Sequence, residues 1–240
     1  MHSATPIGPS TSDATGGLQA IRRFTLAEEV ASQVRRAIIS GQIAEGSNVS
    51  EAQLAEQLRV SRVPVREALV ELEYDGVVLF DHRGRCQVRK FTSNDFAEIL
   101  SLRLTLETMS ARLAAQKVTA HALSLLQENL QALEEEKDVT NISRLDVEFH
   151  DLIMQAAGHE RLRTCWHTVR TQFELLLAKA HRWQAANEIP VNAHALRGHR
   201  PIYNALVAGD PEKAVLQMQK HIREWGETMP PEEQTLPTLP

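Results

Sequence analysis

Cysteine is almost missing from this 240-residue chain: Cys86 and Cys165 lie far apart and outside any CxxC pattern. That excludes a disulfide framework and a zinc finger, and makes a reducing cytoplasm the expected compartment. Aromatic residues are scarce at 5%. No apolar run approaches the ~18 residues that a membrane span needs, so no membrane partner is expected. The opening MHSATPIGPSTSDATGG has no basic region followed by an apolar core, so it is not read as a secretory signal. No HExxH, GxSxG or phosphate-cradling glycine loop occurs. Positive charge is also lacking overall, the net being −5. Its placement is uneven. From Ile21 to Lys90 there are eleven Lys/Arg against ten Asp/Glu, and from Phe91 onward fifteen against twenty. Arg83, Arg85, Arg89 and Lys90 are bunched, so local clusters rather than the total decide whether nucleic acid is a partner.

The length suffices for one large domain or two ordinary ones. Ser, Thr, Pro and Gly fill residues 1–20, and four prolines lie in residues 229–240, so both ends are expected to be disordered tails. Between them, apolar residues at Leu26, Val30, Val34, Ala37 and Ile38 predict a helix ending at Gly41. Gly46 and Asn48 mark a turn. Ser50 to Gln53 reads as a capping box opening a short helix from Glu51 to Leu58. In the next stretch, VSRVPVREAL, Val65, Ala68, Leu69 and then Leu72 have helical spacing although Pro64 sits among them. With Ser61 as N-cap, Pro64 falls at the third helical position, where the amide has no intrahelical partner to lose. Gly76 ends this third helix. VVLF and CQVRK then read as two strands joined by DHRGR, a turn around Gly84.

Three helices followed by a two-stranded wing make a winged helix-turn-helix at residues 21–90. Arg62 and Arg66, at i and i+4, share one line at the N-terminal end of the third helix, the part of a recognition helix that reaches base edges. Arginine can bond guanine O6 and N7 together, worth ~1–3 kcal/mol of discrimination. Ser61 and the free amides beside it suit a phosphate oxygen. Gln53 in the second helix and Arg83 and Arg85 around the wing glycine complete the candidate contacts. Taken alone, two arginines on a helix face equally describe a solvated or salt-bridged surface, with Glu67 and Glu71 nearby.

After Ser93 the pattern is helical throughout, with helices expected at 93–116, 119–137, 141–157, 159–185, 191–208 and 211–226. The fold class is therefore mainly α: a small α+β domain followed by an all-helical bundle at 93–228. In RLDVEFHDLIMQAAGH, Asp146 and His150 lie roughly 40° apart around one helix, beside the apolar stripe of Ile153 and Ala157. His199 and His221 come from later helices. One carboxylate and three imidazoles could converge on a divalent transition metal inside a bundle. An inward histidine is also an ordinary hydrogen-bonded core residue, and spacing alone does not choose.

SEAQLAEQLRVSRVPVREALVELEYDGVV with a wing ending in RGRCQV resembles the GntR family of bacterial transcriptional regulators. The resemblance implies that Arg62 and Arg66 contact operator DNA, with Gly84 at the wing tip. Some members carry a DNA-contacting arginine where Ala52 stands, and usually a proline where Glu45 stands. The helical region, with DVEFH, HRPIYNAL and GDPEKAVLQMQKHI, resembles the FCD effector-binding domain of the FadR branch. That implies Asp146, His150, His199 and His221 as ligands of zinc or nickel. It also implies a nearby pocket for a small carboxylate and a role there for Arg103, whose alternative is a bridge to Glu107 at i+4. Gly198 stands where an acidic residue is common, and Pro201 follows, so His199 is expected to be the weakest ligand.

The function expected is a homodimeric, ligand-responsive regulator reading a short inverted repeat in double-stranded DNA. The alternatives are a metal-dependent hydrolase and a metal-binding interaction module. Glu148, which lies between Asp146 and His150 on their helix, points roughly 200° around from Asp146 and gives hydrolysis little support.

Overall fold

The computed structural model describes residues 25–226; both expected tails lie outside them. The first helix, α1 (Leu26–Ile39), opens on a complete capping box: Thr25 Oγ1 accepts from the Glu28 amide, and Glu28 accepts from the Thr25 amide at 2.7 Å. After α1 come β1 (Asn48–Val49), α2 (Glu51–Leu58), α3 (Arg62–Tyr74), β2 (Val78–Phe80) and β3 (Cys86–Val88). The three strands form one antiparallel sheet in the order β1-β3-β2, with Val49 opposite Cys86 and Val78 opposite Val88. Only two strands were expected. β1 is two residues long, too short for any alternation to show, and exists because β3 offers it an edge.

The apolar side of α3 (Val65, Ala68, Leu69, Leu72) is buried on Val30, Val34 and Ile38 of α1 and on Val78 and Val88 of the sheet. Ser50 accepts from the Gln53 amide, but the reciprocal bond from the Gln53 side chain is not formed, so the expected capping box is half made. Ser61 occupies the N-cap position of α3 without a side-chain cap bond.

Six helices follow: α4 (Ser93–Lys117), α5 (Ala120–Glu135), α6 (Val139–Ala156), α7 (Glu160–Ala186), α8 (Val191–Val207) and α9 (Pro211–Gly226). α6 begins two residues earlier than expected because Asp138 caps it, accepting from the Asn141 amide at 2.9 Å. α8 runs unbroken through Pro201. α4 packs against α6, α7 and α9, and the buried face of α6 closes the bundle. One hydrophobic cluster extends from α1 and α3 into this bundle, and a smaller one gathers Leu133, Ile142, Leu145, Val191 and Ala195.

The two parts meet along α7. Lys179 pairs with Glu45 at 3.0 Å, and Arg182 donates to the Ile39 carbonyl. Gly76, at φ +71°, leaves room for Gln172, whose Nε2 would lie 2.5 Å from a β-carbon there. Glu45, which departs from the family pattern, is thus one side of an inter-domain ion pair.

Candidate functional site

The exposed end of α3 carries Ser61, Arg62 and Arg66 at the surface. Arg66 is 68% exposed and touches Glu51 of α2 at 3.3 Å, a weak surface pair. The side chains of Arg62 and Arg83 make no hydrogen bond or ion pair among the described residues. Gln53 is also exposed. Pro64 is buried, which corrects its place among the candidate contacts: it shapes the start of α3 and presents no surface. At the wing, Asp81 Oδ1 accepts from the Arg83 and Arg85 amides at 2.8 and 2.9 Å, and Arg85 Nε donates to Oδ2 at 2.7 Å. These bonds hold the Asp81 carboxyl below its ordinary range, those from Arg85 contributing most. The wing tip is Gly84, at φ +74°, a conformation that L side chains resist. Arg83, Gly84 and Arg85 are all exposed.

The second site is buried. Asp146 and His150 on α6, His199 on α8 and His221 on α9 bring one donor atom each to within 4.8 Å of one another, and none is more than 4% exposed. Asp146 Oδ1 lies 3.6 Å from both His150 Nε2 and His199 Nε2, and His221 Nε2 lies 3.3 Å from His150 Nε2. Donors held ~2.05 Å from a tetrahedral ion are ~3.3 Å apart, so this spacing suits a divalent transition metal. Both ring nitrogens of His199 and Nδ1 of His221 are buried without a hydrogen-bond partner among the described residues, which is costly unless something takes up the lone pairs. Burial pushes His199 down to about 3 against the pull of Asp146. Burial also holds His221 well below its ordinary value, with His199 and His150 adding to the effect. Neutral imidazoles are what a metal requires. Burial would raise Asp146, but the neighbouring His199 and His150 hold it far below the usual carboxylate range. His199, expected to be the weakest ligand, is fully buried and stacked on Phe149 with ring centroids 4.0 Å apart.

Gly198 acts on a different residue from the one expected. A β-carbon at Gly198 would fall 2.0 Å from His221 Nδ1 and 2.9 Å from Cε1 and Cγ. Only glycine leaves the ring of His221 its place.

Arg103 of α4 is completely buried beside the quartet. Its Nε donates to Glu107 Oε1 at 2.6 Å, its Nη2 is 3.5 Å from His150 Nε2, and its guanidinium carbon lies 3.5 Å from the Phe173 ring centroid. Nη1 has no partner among the described residues. The bridge to Glu107 is therefore real and still leaves one donor for a ligand.

Residues 26–88 match the model of bacterial regulatory proteins of the gntR family, and residues 98–224 match the FCD domain. The chain belongs to the GntR family. It is 31% identical over 204 residues to a Paenarthrobacter nicotinovorans protein named "Probable D-xylose utilization operon transcriptional repressor", covering 84% of this chain and 88% of that one. It is 30% identical over 165 residues to the gluconate operon transcriptional repressor of Bacillus licheniformis, covering 68% of each. Among solved structures, a GntR-type protein of Rhodococcus sp. RHA1 superposes with a TM-score of 0.66 at 27% identity, over 83% of this chain and 94% of that one. As a GntR-family chain with an FCD domain, the protein is a transcriptional regulator and not an enzyme. Among the described residues no helix is long and apolar enough to cross a membrane.

Several roles at this centre were not anticipated, beginning with the second contact of Glu107. Glu107 sets one oxygen against Arg103 and the other against His150 Nδ1. Burial would raise Glu107, but Arg103 and His150 hold it at about 2. Glu107 thereby fixes the His150 ring with Nε2 turned to the quartet, the outer carboxylate that metal-binding histidines commonly use. Phe173 and Trp225 enclose the Arg103 guanidinium. His181 pairs with Ser143 Oγ at 2.9 Å, and burial presses it down to about 4 against the pull of Asp146. Glu148 pairs with Arg144 at the surface, away from the centre.

Proposed function

We propose that this protein is a homodimeric, ligand-responsive regulator of the FadR branch, acting in the cytoplasm on an inverted-repeat operator. Arg62 and Arg66 of α3 read base edges, while Ser61, Gln53 and the Arg83-Gly84-Arg85 wing meet the backbone or a groove. Two such heads related by a two-fold axis would place recognition helices about one helical turn of DNA apart. In the helical domain, Asp146, His150, His199 and His221 hold a divalent metal, zinc or nickel. The bound ion would supply a positive charge to which a small carboxylate effector coordinates.

The observation that carries the effector reading is the unpartnered Nη1 of Arg103, fully buried next to His150. A buried guanidinium donor left unpaired costs ~1–3 kcal/mol, and a carboxylate is its natural complement. Arg103 orients that carboxylate, Glu107 keeps Arg103 and His150 in register, and Phe173 and Trp225 exclude water. The gluconate-operon name of one relative accords with an acid as effector. The contact of α7 with both the centre, through Phe173, and the DNA-binding domain, through Lys179 and Arg182, supports coupling between them.

The test is footprinting of promoter fragments at stated salt with wild-type protein and Arg66→Ala. The variant should keep its helical circular dichroism and lose ~1–3 kcal/mol of operator discrimination. Equal binding to every fragment by the wild type, or an unfolded variant, would refute the assignment.

A further inference from the structure

A cleft of about 280 Å³ opens where α7 faces the DNA-binding domain. Junctions between domains are common places for small-molecule sites. At ~30 Å³ for each water-sized group, it holds roughly nine or ten non-hydrogen atoms. One wall is the connection from α1 to β1, with Ala44 and Glu45. A second is the chain leaving β3, with Arg89 and Phe91, and the third is α7, with Leu175, Lys179 and Arg182. Ile38, Val88, Phe91 and Leu175 give the cleft a buried apolar floor.

The charge of this lining is unbalanced. Arg89, Lys179 and Arg182 are set against one carboxylate, Glu45, among the described residues. Arg89 is engaged at the edge, donating to Asp95 at 2.6 Å and lying over the Phe91 ring. Lys179 pairs with Glu45 at 3.0 Å. Arg182 has no carboxylate of its own. Its one hydrogen bond among the described residues runs from Nη1 to the Ile39 carbonyl, and its Nε and Nη2 are neither bonded nor enclosed. Burial lowers Arg182, and the charge of Glu45 offsets this only in part. A half-buried guanidinium with open donors is the complement of a carboxylate.

We propose that this inter-domain cleft binds a small apolar carboxylic acid, at a site separate from the effector position beside Arg103. One carboxylate oxygen accepts from Arg182 Nη2, and the other displaces Glu45 from Lys179. The hydrocarbon body lies on Phe91 and Leu175, a surface that an inorganic anion would not use. A bound acid touches walls from both domains, so it braces the reading head against the helical bundle.

Benzoate, uncharged benzamide and inorganic phosphate are titrated by calorimetry into full-length protein, with amide hydrogen exchange as a second readout. The variants are Arg182→Gln, its control Arg161→Gln on the same helix, Glu45→Gln, and Ala44→Phe, which crowds the cleft. Ala44 and Arg161 are exposed, so neither change disturbs the core. Wild type should bind benzoate with a Kd of ~1 mM or tighter, and benzamide and phosphate about tenfold more weakly or worse. Arg182→Gln should weaken benzoate about tenfold or more and Ala44→Phe should abolish its binding, while Arg161→Gln matches the wild type. Glu45→Gln removes the competitor for Lys179 and should tighten benzoate about threefold or more, the reverse of what loss of a purely structural ion pair would do. Bound benzoate should slow exchange in residues 38–45 and 175–182 together. The proposal is overturned by no benzoate binding at ~10 mM, or by phosphate or benzamide binding as tightly as benzoate. It is equally overturned by binding that survives Ala44→Phe, by weaker binding in Glu45→Gln, or by exchange slowed on one side of the cleft only.

Discussion

Replacing Gly198 by alanine tests the geometry of the buried centre more sharply than removing a ligand does. Glycine within a helix is ordinarily worse than alanine by ~1 kcal/mol, so on propensity alone the substitution stabilises α8. Packing says the opposite. The new β-carbon lies 2.0 Å from His221 Nδ1, so the ring must retreat by well over an ångström to reach an ordinary contact. It has nowhere to go: His150 is stacked on its other side with centroids 5.2 Å apart, and His221 is buried. Overpacking of this kind costs ~1–3 kcal/mol, so metal-free Gly198→Ala should be neutral to ~2 kcal/mol less stable in urea. Metal donors tolerate displacements of only ~0.2 Å, so metal affinity measured against a chromophoric chelator should fall by more than ~100-fold. The double-mutant cycle is decisive. With His221→Ala present there is no ring to meet, and Gly198→Ala should then stabilise by up to ~1 kcal/mol. A stabilising Gly198→Ala in the wild-type background, with metal affinity intact, would refute the steric argument.

Three other outcomes follow from the same geometry. Glu107→Ala strands the Arg103 guanidinium in the core and frees the His150 ring; unfolding in urea should show a loss of ~3–5 kcal/mol, and a loss below ~1 kcal/mol would mean the pair is dispensable. The metal-free protein should lose stability as pH falls below 6.5, because His199 is held at about 3 in the fold and titrates near 6.5 when unfolded. Between those values the unfolded chain binds the extra proton, so stability rises with pH by up to ~1.4 kcal/mol per unit from this group. Urea titrations at several pH values should give a shallower slope for His199→Gln, and an unchanged slope would contradict its buried neutral state. His150 works in the opposite sense: burial would lower it, but Glu107 and Asp146 together outweigh burial and raise it, so its contribution is present at low pH and lost as pH rises through its folded value. Finally, Gly84→Ala forces a side chain into φ +74° with open space around it, so a backbone penalty of ~1–2 kcal/mol at the wing should weaken operator binding without a clash elsewhere. Unaltered footprints would remove the wing from the interface.

The sequence was enough for the helices, because apolar periodicity on α1, α3, α6 and α9 is a local property; the stripes turned out buried except at the start of α1, where Leu26 is 53% exposed, and at Ala37, which is half-buried. It was enough for the N-cap position of Ser61 and the tolerance of Pro64, which depend on helix ends alone. Which acid and which imidazoles could share a centre was legible from inward-facing positions together with the family resemblance. Glu107 was legible as a partner of Arg103, but its place behind the His150 ring was not. Arg103 and Glu107 at i, i+4 make a common surface pattern, and only the packing of α6, α7 and α9 over α4 makes that pair a buried one. β1 was invisible for a similar reason, since a two-residue strand is defined by its partner.

Gly198 shows where the boundary falls. Read along the chain, it concerns its neighbour His199; in the folded protein it concerns His221, one helix away. Local propensity and periodicity are carried by adjacent residues, so the sequence alone determined the elements and their apolar faces. Distances between residues on different helices are set by how whole faces pack. Only the tertiary structure could decide that four donors converge, that a glutamate stands behind one of them, and that a glycine makes room for another.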